Sequence, residues 1–311
     1  MWLQRFTAYL LRHRWQAIGL TFISTFIPVI GVFGILLAAV VTLCRGIVEG
    51  ALFTLAATVP YFLSFSLSTQ AKTQFPLVVW AAIGVAVISN LLTWAFAVML
   101  RRQASWRLIL EMAALIGVLV VSIIHLAYPE IAQWWGTQLT AYYHQAQTIA
   151  GMAKGVAPSA EVQLEGINIT KQYATGLIAA AILFNAILQL IIARWWQSKA
   201  FKAVNLRKEL HQIRLSPLAG MLFLASFVLQ YLGNSVILDI MPILYVLFGA
   251  AGLSFIHYVF GLGKSPISWF WLALIYVSII FSLPMSMVMV SFLAMFDSWF
   301  DLRKRFKKVI K

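Results

Sequence analysis

The sequence predicts an all-α protein, a polytopic membrane helical bundle forming one integral domain over residues 1–311. Three observations carry that reading. Hydrophobic residues make up 62% of the chain and charged residues only 10%, where a soluble domain of this size carries about a quarter charged. The apolar residues fall into runs long enough to cross a lipid core, which takes about 20 helical residues. The basic residues cluster at the ends of those runs, so the net charge of +14 reads as membrane topology and not as nucleic-acid binding.

Trp2, Leu3, Phe6, Tyr9 and Leu10 recur at helical spacing. They predict an amphipathic helix over 2–12, within a cytoplasmic segment 1–14, in a stretch lacking the apolar core and cleavage site of a signal peptide. Runs at 76–100, 106–128, 173–195 and 236–260 make ordinary spans, and 51–67 and 217–233 reach across with thinning or snorkelling ends. Stretches 16–44 and 267–296 are each too long for one span and short for two, and each holds a proline, Pro28 or Pro284.

Charge parity decides their form. If each enters and leaves on one side, 20 of the 23 Lys and Arg share a face, leaving Lys72, Lys154 and Lys171 on the other. A single straight helix over 16–44 would instead put Arg101, Arg102 and Arg107 outside, against the positive-inside rule. Both stretches are therefore expected to be short broken hairpins, turning near Pro28–Gly31 and Leu283–Pro284. The expectation is about eight to ten crossings, with both termini cytoplasmic.

The loops follow from that count. Residues 129–171 form an external loop whose Trp134, Trp135, Tyr142 and Tyr143 suit an interfacial helix. Its "NIT" at 168–170 fits a glycosylation pattern that is common by chance. Residues 195–216 form a basic, helical cytoplasmic loop, either an element that contacts a partner or a linker that binds lipid headgroups. Residues 302–311 are a cytoplasmic basic tail. Small residues at Gly34–Ala38–Thr42 and Ala82–Ala86 allow close helix approach, within this bundle or against a separate membrane subunit.

Catalytic motifs are absent. "GLGKS" at 261–265 has Tyr258 where a phosphate-binding loop needs glycine, and a transmembrane run precedes it in place of a strand. There is no HExxH, GxSxG or paired-carboxylate pattern, and the single Cys44 excludes an intramolecular disulfide or a multi-cysteine metal site. The chain is read as no enzyme, with no metal and no cofactor.

What remains are polar residues at membrane depth, which are costly and therefore candidates for function. His125, Gln230, Asn234 and Asp239 lie toward the outer surface, Asn90 and Asn185 mid-membrane, and Glu111, Gln189 and His257 nearer the cytoplasm. Glu111 is expected to pair with Arg107, four residues before it. Asn185 and Gln189 share one helix face, which looks into the bundle. Asp239 has no basic residue within a turn and precedes Pro242, so it calls for a ligand, a cation, a proton or His125. The candidate ligand-binding set is Asp239, His125, Gln230, Asn234 and Asn185.

"LCRGIVEG" (43–50), "ARWWQSKAFKAVNLRKELHQIRLSP" (193–217) and "FDSWFDLRKRF" (296–306) together resemble the YybS-like bacterial family of multipass membrane proteins. The resemblance runs nearly end to end. That family is in turn similar in fold to the substrate-binding S components of energy-coupling factor transporters. The resemblance thus implies an S-component-like bundle in a bacterial inner membrane, working with a separate membrane coupling subunit.

Asp297 and Asp301 are scarce carboxylates at the C-terminus of a helix, where they oppose its dipole and need compensation. Asp301 has Arg305 four residues on. For Asp297 the expected partner is Arg45, at the same depth in the N-terminal hairpin, in a structural ion pair. Two functions follow. One is a transport component without its own ATPase that binds a small solute from outside. The other is a scaffold that recruits a cytoplasmic protein through the 195–216 loop and the tail.

Overall fold

The computed structural model describes residues 2–27, 30–67, 76–152, 159–201, 205–262 and 267–309. It is all-helical, 89% helix with no strand among the described residues. The helices are α1 (Trp2–Arg12), α2 (Arg14–Thr25), α3 (Gly31–Cys44), α4 (Ile47–Leu67), α5 (Pro76–Arg101), α6 (Trp106–Ala127), α7 (Ile131–Met152) and α8 (Ala160–Thr170). They continue with α9 (Ala174–Phe201), α10 (Leu206–Leu210), α11 (Pro217–Tyr231), α12 (Ser235–Leu262), α13 (Ile267–Phe281), α14 (Leu283–Phe300) and α15 (Leu302–Val309).

Five of these are long and apolar enough to cross a membrane, within α4, α5, α6, α9 and α12. One of the five, α4, begins at Ile47, ahead of the apolar run, with Glu49 in its first turn and Arg45 3.8 Å from it. The helix also runs through Pro60.

Both awkward stretches are broken. At 12 and 14 residues, α2 and α3 are about 18 and 21 Å long at 1.5 Å per residue, against a hydrocarbon core of about 30 Å. The backbone leaves the helix at Phe26 and re-enters at Gly31; Pro28 and Val29 lie outside the described residues. The return is tight because its residues are small. A methyl group at Gly34 would lie 2.7 Å from Thr25 Oγ1, and one at Gly50 of α4 would overlap Thr42. The Gly34–Ala38–Thr42 stripe therefore serves packing inside the chain. The second break falls at Ser282, one residue before the expected Leu283–Pro284, and Ser286 Oγ crosses it to the Ser278 carbonyl at 3.0 Å.

At the centre stands α9, packed against α3, α5 and α6 on one side and α12 on the other. A buried polar seam joins it to the N-terminal half. Gln189 accepts from Thr93 Oγ1 at 2.6 Å, Asn185 donates to Ser89 Oγ at 2.8 Å, and Asn90 donates to Thr58 and the Ala57 carbonyl at 3.3 Å. The C-terminal half closes on an aromatic cluster in which Phe223 stacks on Phe248 at 4.3 Å and meets Phe292 edge-on.

The helix α1 lies against the bundle as well as presenting an apolar face. Its Thr7 and Leu10 are buried, Trp196 Nε1 donates to Thr7 Oγ1 at 2.8 Å, and Phe6 packs on Phe33 and Trp196. The 129–171 segment is helical over α7 and α8, and Trp135 Nε1 ties it to Thr175 at 2.9 Å.

Basic residues collect at one end of the bundle. Arg101 donates to the carbonyls of Thr42 and Leu43, Arg194 forms a two-pronged pair with Glu209 (2.7 and 3.1 Å), and Gln197 reaches the Leu43 carbonyl. Arg214 bonds the Asp297 and Ser298 carbonyls, each at 3.0 Å. Glu111 accepts from Arg107 (3.1 Å), as expected, and also from the Ser216 backbone N–H (2.7 Å).

The Arg45–Asp297 ion pair does not form. Arg45 turns to the Leu11 carbonyl and, at 3.8 Å, to Glu49, while Asp297 Oδ2 accepts from Arg303 Nε at 2.8 Å. The physical reason is the break after α14. Asp301 adopts a left-handed backbone (φ 47°, ψ 54°), which turns α15 back so that Arg303 comes under the end of the helix it follows. Reading the tail as leaving the bundle hid that return.

Candidate functional site

The predicted ligand-binding residues do not form one cavity. His125 on α6 and Asp239 on α12 do meet, with Nε2 to Oδ2 at 2.9 Å, and the other Asp239 oxygen accepts from the Gly176 backbone N–H at 2.6 Å. Asp239 is 2% exposed, and both of its carboxyl oxygens meet protein groups. Only glycine fits at 176, because a methyl group there would lie 1.5 Å from the Asp239 carbonyl oxygen. This knot is packed solid and joins α6, α9 and α12 at the end opposite the basic cluster.

The other members have local roles. Asn234 caps α12 by accepting from the Ile237 N–H at 3.1 Å. Asn185 belongs to the seam with α5. Gln230, at the end of α11, lies on the rim of a separate space, and its buried Oε1 has no hydrogen-bond partner.

That space is a cleft of about 2650 Å³ walled by α9, α12, α13 and the start of α14, and its lining includes neither His125 nor Asp239. It follows from how α13 packs. Its Trp269, Phe270, Ile280 and Phe281 are all more than 60% exposed, and Leu272 is its one buried residue. A small cluster of Ile256, Leu272 and Val290 joins it to α12 and α14, and Tyr276 Oη meets His257 Nε2 at 2.8 Å. The helix leans away from α9, and the gap between them is the cleft.

Along its length the wall is apolar: Leu177, Ala181, Phe184 and Leu188 from α9 face Tyr245, Val246, Ala250 and Leu253 from α12. At the basic end the lining changes to Lys199, Arg207, His211 and His257, with Trp195 and Trp269 beside them, and no carboxylate among the described residues lines the cleft. Arg207 and His211 converge on the α12 backbone at Gly261, where a methyl group would lie 3.2 Å from the guanidinium and 3.1 Å from the ring. The turn that carries them is fixed. Arg303 donates to the His211 and Ile213 carbonyls, and Ser254 Oγ bonds the Leu210 carbonyl.

Burial, first, and then the neighbouring Arg207, His257 and Arg303 side chains hold the His211 pKa below the usual imidazole value. It is therefore neutral at pH 7, an N–H donor beside a permanent guanidinium.

These residues were scattered in the sequence reading: His257 as a polar group near the cytoplasm, Lys199, Arg207 and His211 within a basic loop. A stripe on α12 (Tyr245, Gly249, Leu253, His257, Phe260) at steps of three and four residues, ending where the basic loop packs, was the signal that could have joined them. Comparison with known proteins adds no relative: no family model, curated protein or solved structure matches the chain.

Proposed function

We propose that this chain is a membrane-embedded binding component of a transport system, and that it takes a hydrophobic or amphipathic molecule from the bilayer into the lateral cleft. The observation that carries the proposal is the combination of an apolar wall of membrane depth with one basic, aromatic-rimmed end. An apolar trough left among helices is filled either by lipid or by a cargo that partitions as lipid does. In this reading the short helices α2, α3, α11, α13 and α14 count with the five long ones toward about eight to ten crossings, with the basic end and both termini in the cytoplasm of a bacterium. The S-component likeness fits, since such a component binds its cargo and leaves energy coupling to a separate subunit.

The test is retention. Protein purified in mild detergent is extracted and the bound amphiphile quantified, for the parent and for Ala181→Trp, which fills the cleft from an exposed position on α9. The expected result is a bound apolar molecule in the parent, lost in the variant at unchanged melting temperature. Equal retention by both overturns the proposal. The scaffold reading would then lead, carried by the exposed basic face of α15 around Lys304, Arg305 and Lys307.

A further inference from the structure

We infer that the occupant of the cleft is an anionic phospholipid, its phosphate held by Arg207, Lys199 and the His211 ring and its acyl chains lying along α9 and α12. This rests on the cleft-binding reading above and adds the headgroup to it. Three features of the basic end lead there.

The first is charge. Neither Arg207 nor Lys199 has a carboxylate partner within 4.0 Å among the described residues, although Glu209 lies two residues from Arg207; both Glu209 oxygens are taken by Arg194 and one also by Trp106 Nε1. Both side chains are exposed at the end of the cleft, so their charge is open to an anion from outside the chain. The second is position. The basic groups close one end of an apolar trough, so a ligand that satisfies both must carry its anion at one end and hydrocarbon over the rest. A soluble phosphate would leave the trough empty, and a neutral lipid would leave the cations unmatched. The third is rigidity. The 210–213 turn is held by Arg303 and Ser254, so the His211 ring is placed before the ligand arrives and its share of the ordering cost is small. Trp195 and Trp269 also line the cleft, and indole rings suit a headgroup boundary.

An anion beside His211 favours its charged form, so binding takes up a proton and affinity rises as pH falls through the mid-range. The groups facing that ring are Arg207 on its own segment, His257 and Tyr258 on α12, and Arg303 on α15. No carboxylate is among them to mask the effect.

The experiment is native mass spectrometry of the full chain, delipidated and titrated with phosphatidylglycerol or phosphatidylcholine of identical acyl chains, or with inorganic phosphate. The expected preference for phosphatidylglycerol is about thirtyfold, from two near-surface cations at roughly 1 kcal/mol each. Lys199→Gln/Arg207→Gln should bring it down to the phosphatidylcholine level, while Ala181→Trp should abolish binding of both lipids. Equal binding of the two lipids by the parent, still blocked by Ala181→Trp, overturns the headgroup inference and leaves the cleft reading standing. Binding of neither lipid overturns both. Displacement of phosphatidylglycerol by millimolar inorganic phosphate overturns the lipid as the source of the anion.

Discussion

Replacing Arg303 should destabilise this protein more than replacing any other basic residue at its surface end. The side chain is 9% exposed and its partner Asp297 2%, and the two meet at 2.8 Å. Arg303 also donates to the His211 and Ile213 carbonyls and to Ser254 Oγ, and its guanidinium lies over the Phe255 and Tyr258 rings at 5.8 and 5.6 Å. The other Asp297 oxygen is buried with no hydrogen-bond partner, so in Arg303→Gln the buried carboxyl group loses the one ion pair it makes among the described residues. Breaking a buried pair from one side costs about 3–5 kcal/mol. At about 2 °C per kcal/mol for a chain of this size, the melting temperature should fall by roughly 6–10 °C. Asp297→Asn should cost less, because the carbonyl acceptors keep Arg303 partly satisfied. The double variant should lie above the sum of the singles by about 1–3 kcal/mol. Arg45→Gln is the contrast: its pair with Glu49 is long and 41%/31% exposed, worth under about 1 kcal/mol, and Arg45→Gln/Asp297→Asn should be additive. The assay is a double-mutant cycle by intrinsic-fluorescence melting in one detergent. A shift under 2 °C for Arg303→Gln, or additivity between Arg303 and Asp297, would refute the clamp.

Other outcomes follow from the same contacts. Gly176→Ala should prevent proper docking of α9 on α12, seen as loss of the folded peak in size-exclusion chromatography, whereas Gly166→Ala, with open space around it, should be silent. Asp239→Asn should lower the melting temperature by several degrees, because the amide keeps one acceptor for the Gly176 N–H but replaces the carboxylate oxygen that faces His125, whatever it does to ligand retention. In the ligand-free protein His211 has a depressed pKa in the folded state. The fold therefore binds fewer protons than the unfolded chain, and the His211 contribution is present above about pH 6.5 and lost as pH falls toward the folded-state value; His211→Asn should flatten that part of the pH–melting curve. Amide exchange should be faster along α13 than along α12, since one is held by a small apolar cluster and the other by the main core.

The helices and their breaks were legible in the sequence because the signals are local. Apolar run length marks the spans, and charge parity calls for breaks in 16–44 and 267–296, which fall between α2 and α3 and at Ser282. The pairing of residues was less legible. Asp239 could be named as a carboxylate in need of a partner, yet only the packing shows that His125 and a glycine N–H satisfy it and leave no room for a guest. Arg45 and Asp297 share a depth, but depth does not fix direction, and the left-handed turn at Asp301 gives Asp297 a nearer cation. The cleft was the least visible part. It arises from how far α13 leans from α9, a tertiary distance that hydropathy does not encode.

The polar crosslinks crowd one end of the bundle, where Arg101, Arg194, Arg214 and Arg303 each bridge separate segments, while the knot at Asp239 and the Trp135–Thr175 bond hold the other. A trough framed this way is stiff at its mouth of cations and compliant along its hydrocarbon length, since most side chains of α13 are exposed and few pack on the rest of the bundle. Discrimination would then divide along the guest itself: stringent for the first few atoms of a headgroup, where a misplaced donor cannot follow, and tolerant of chain length, unsaturation or branching, where the wall yields.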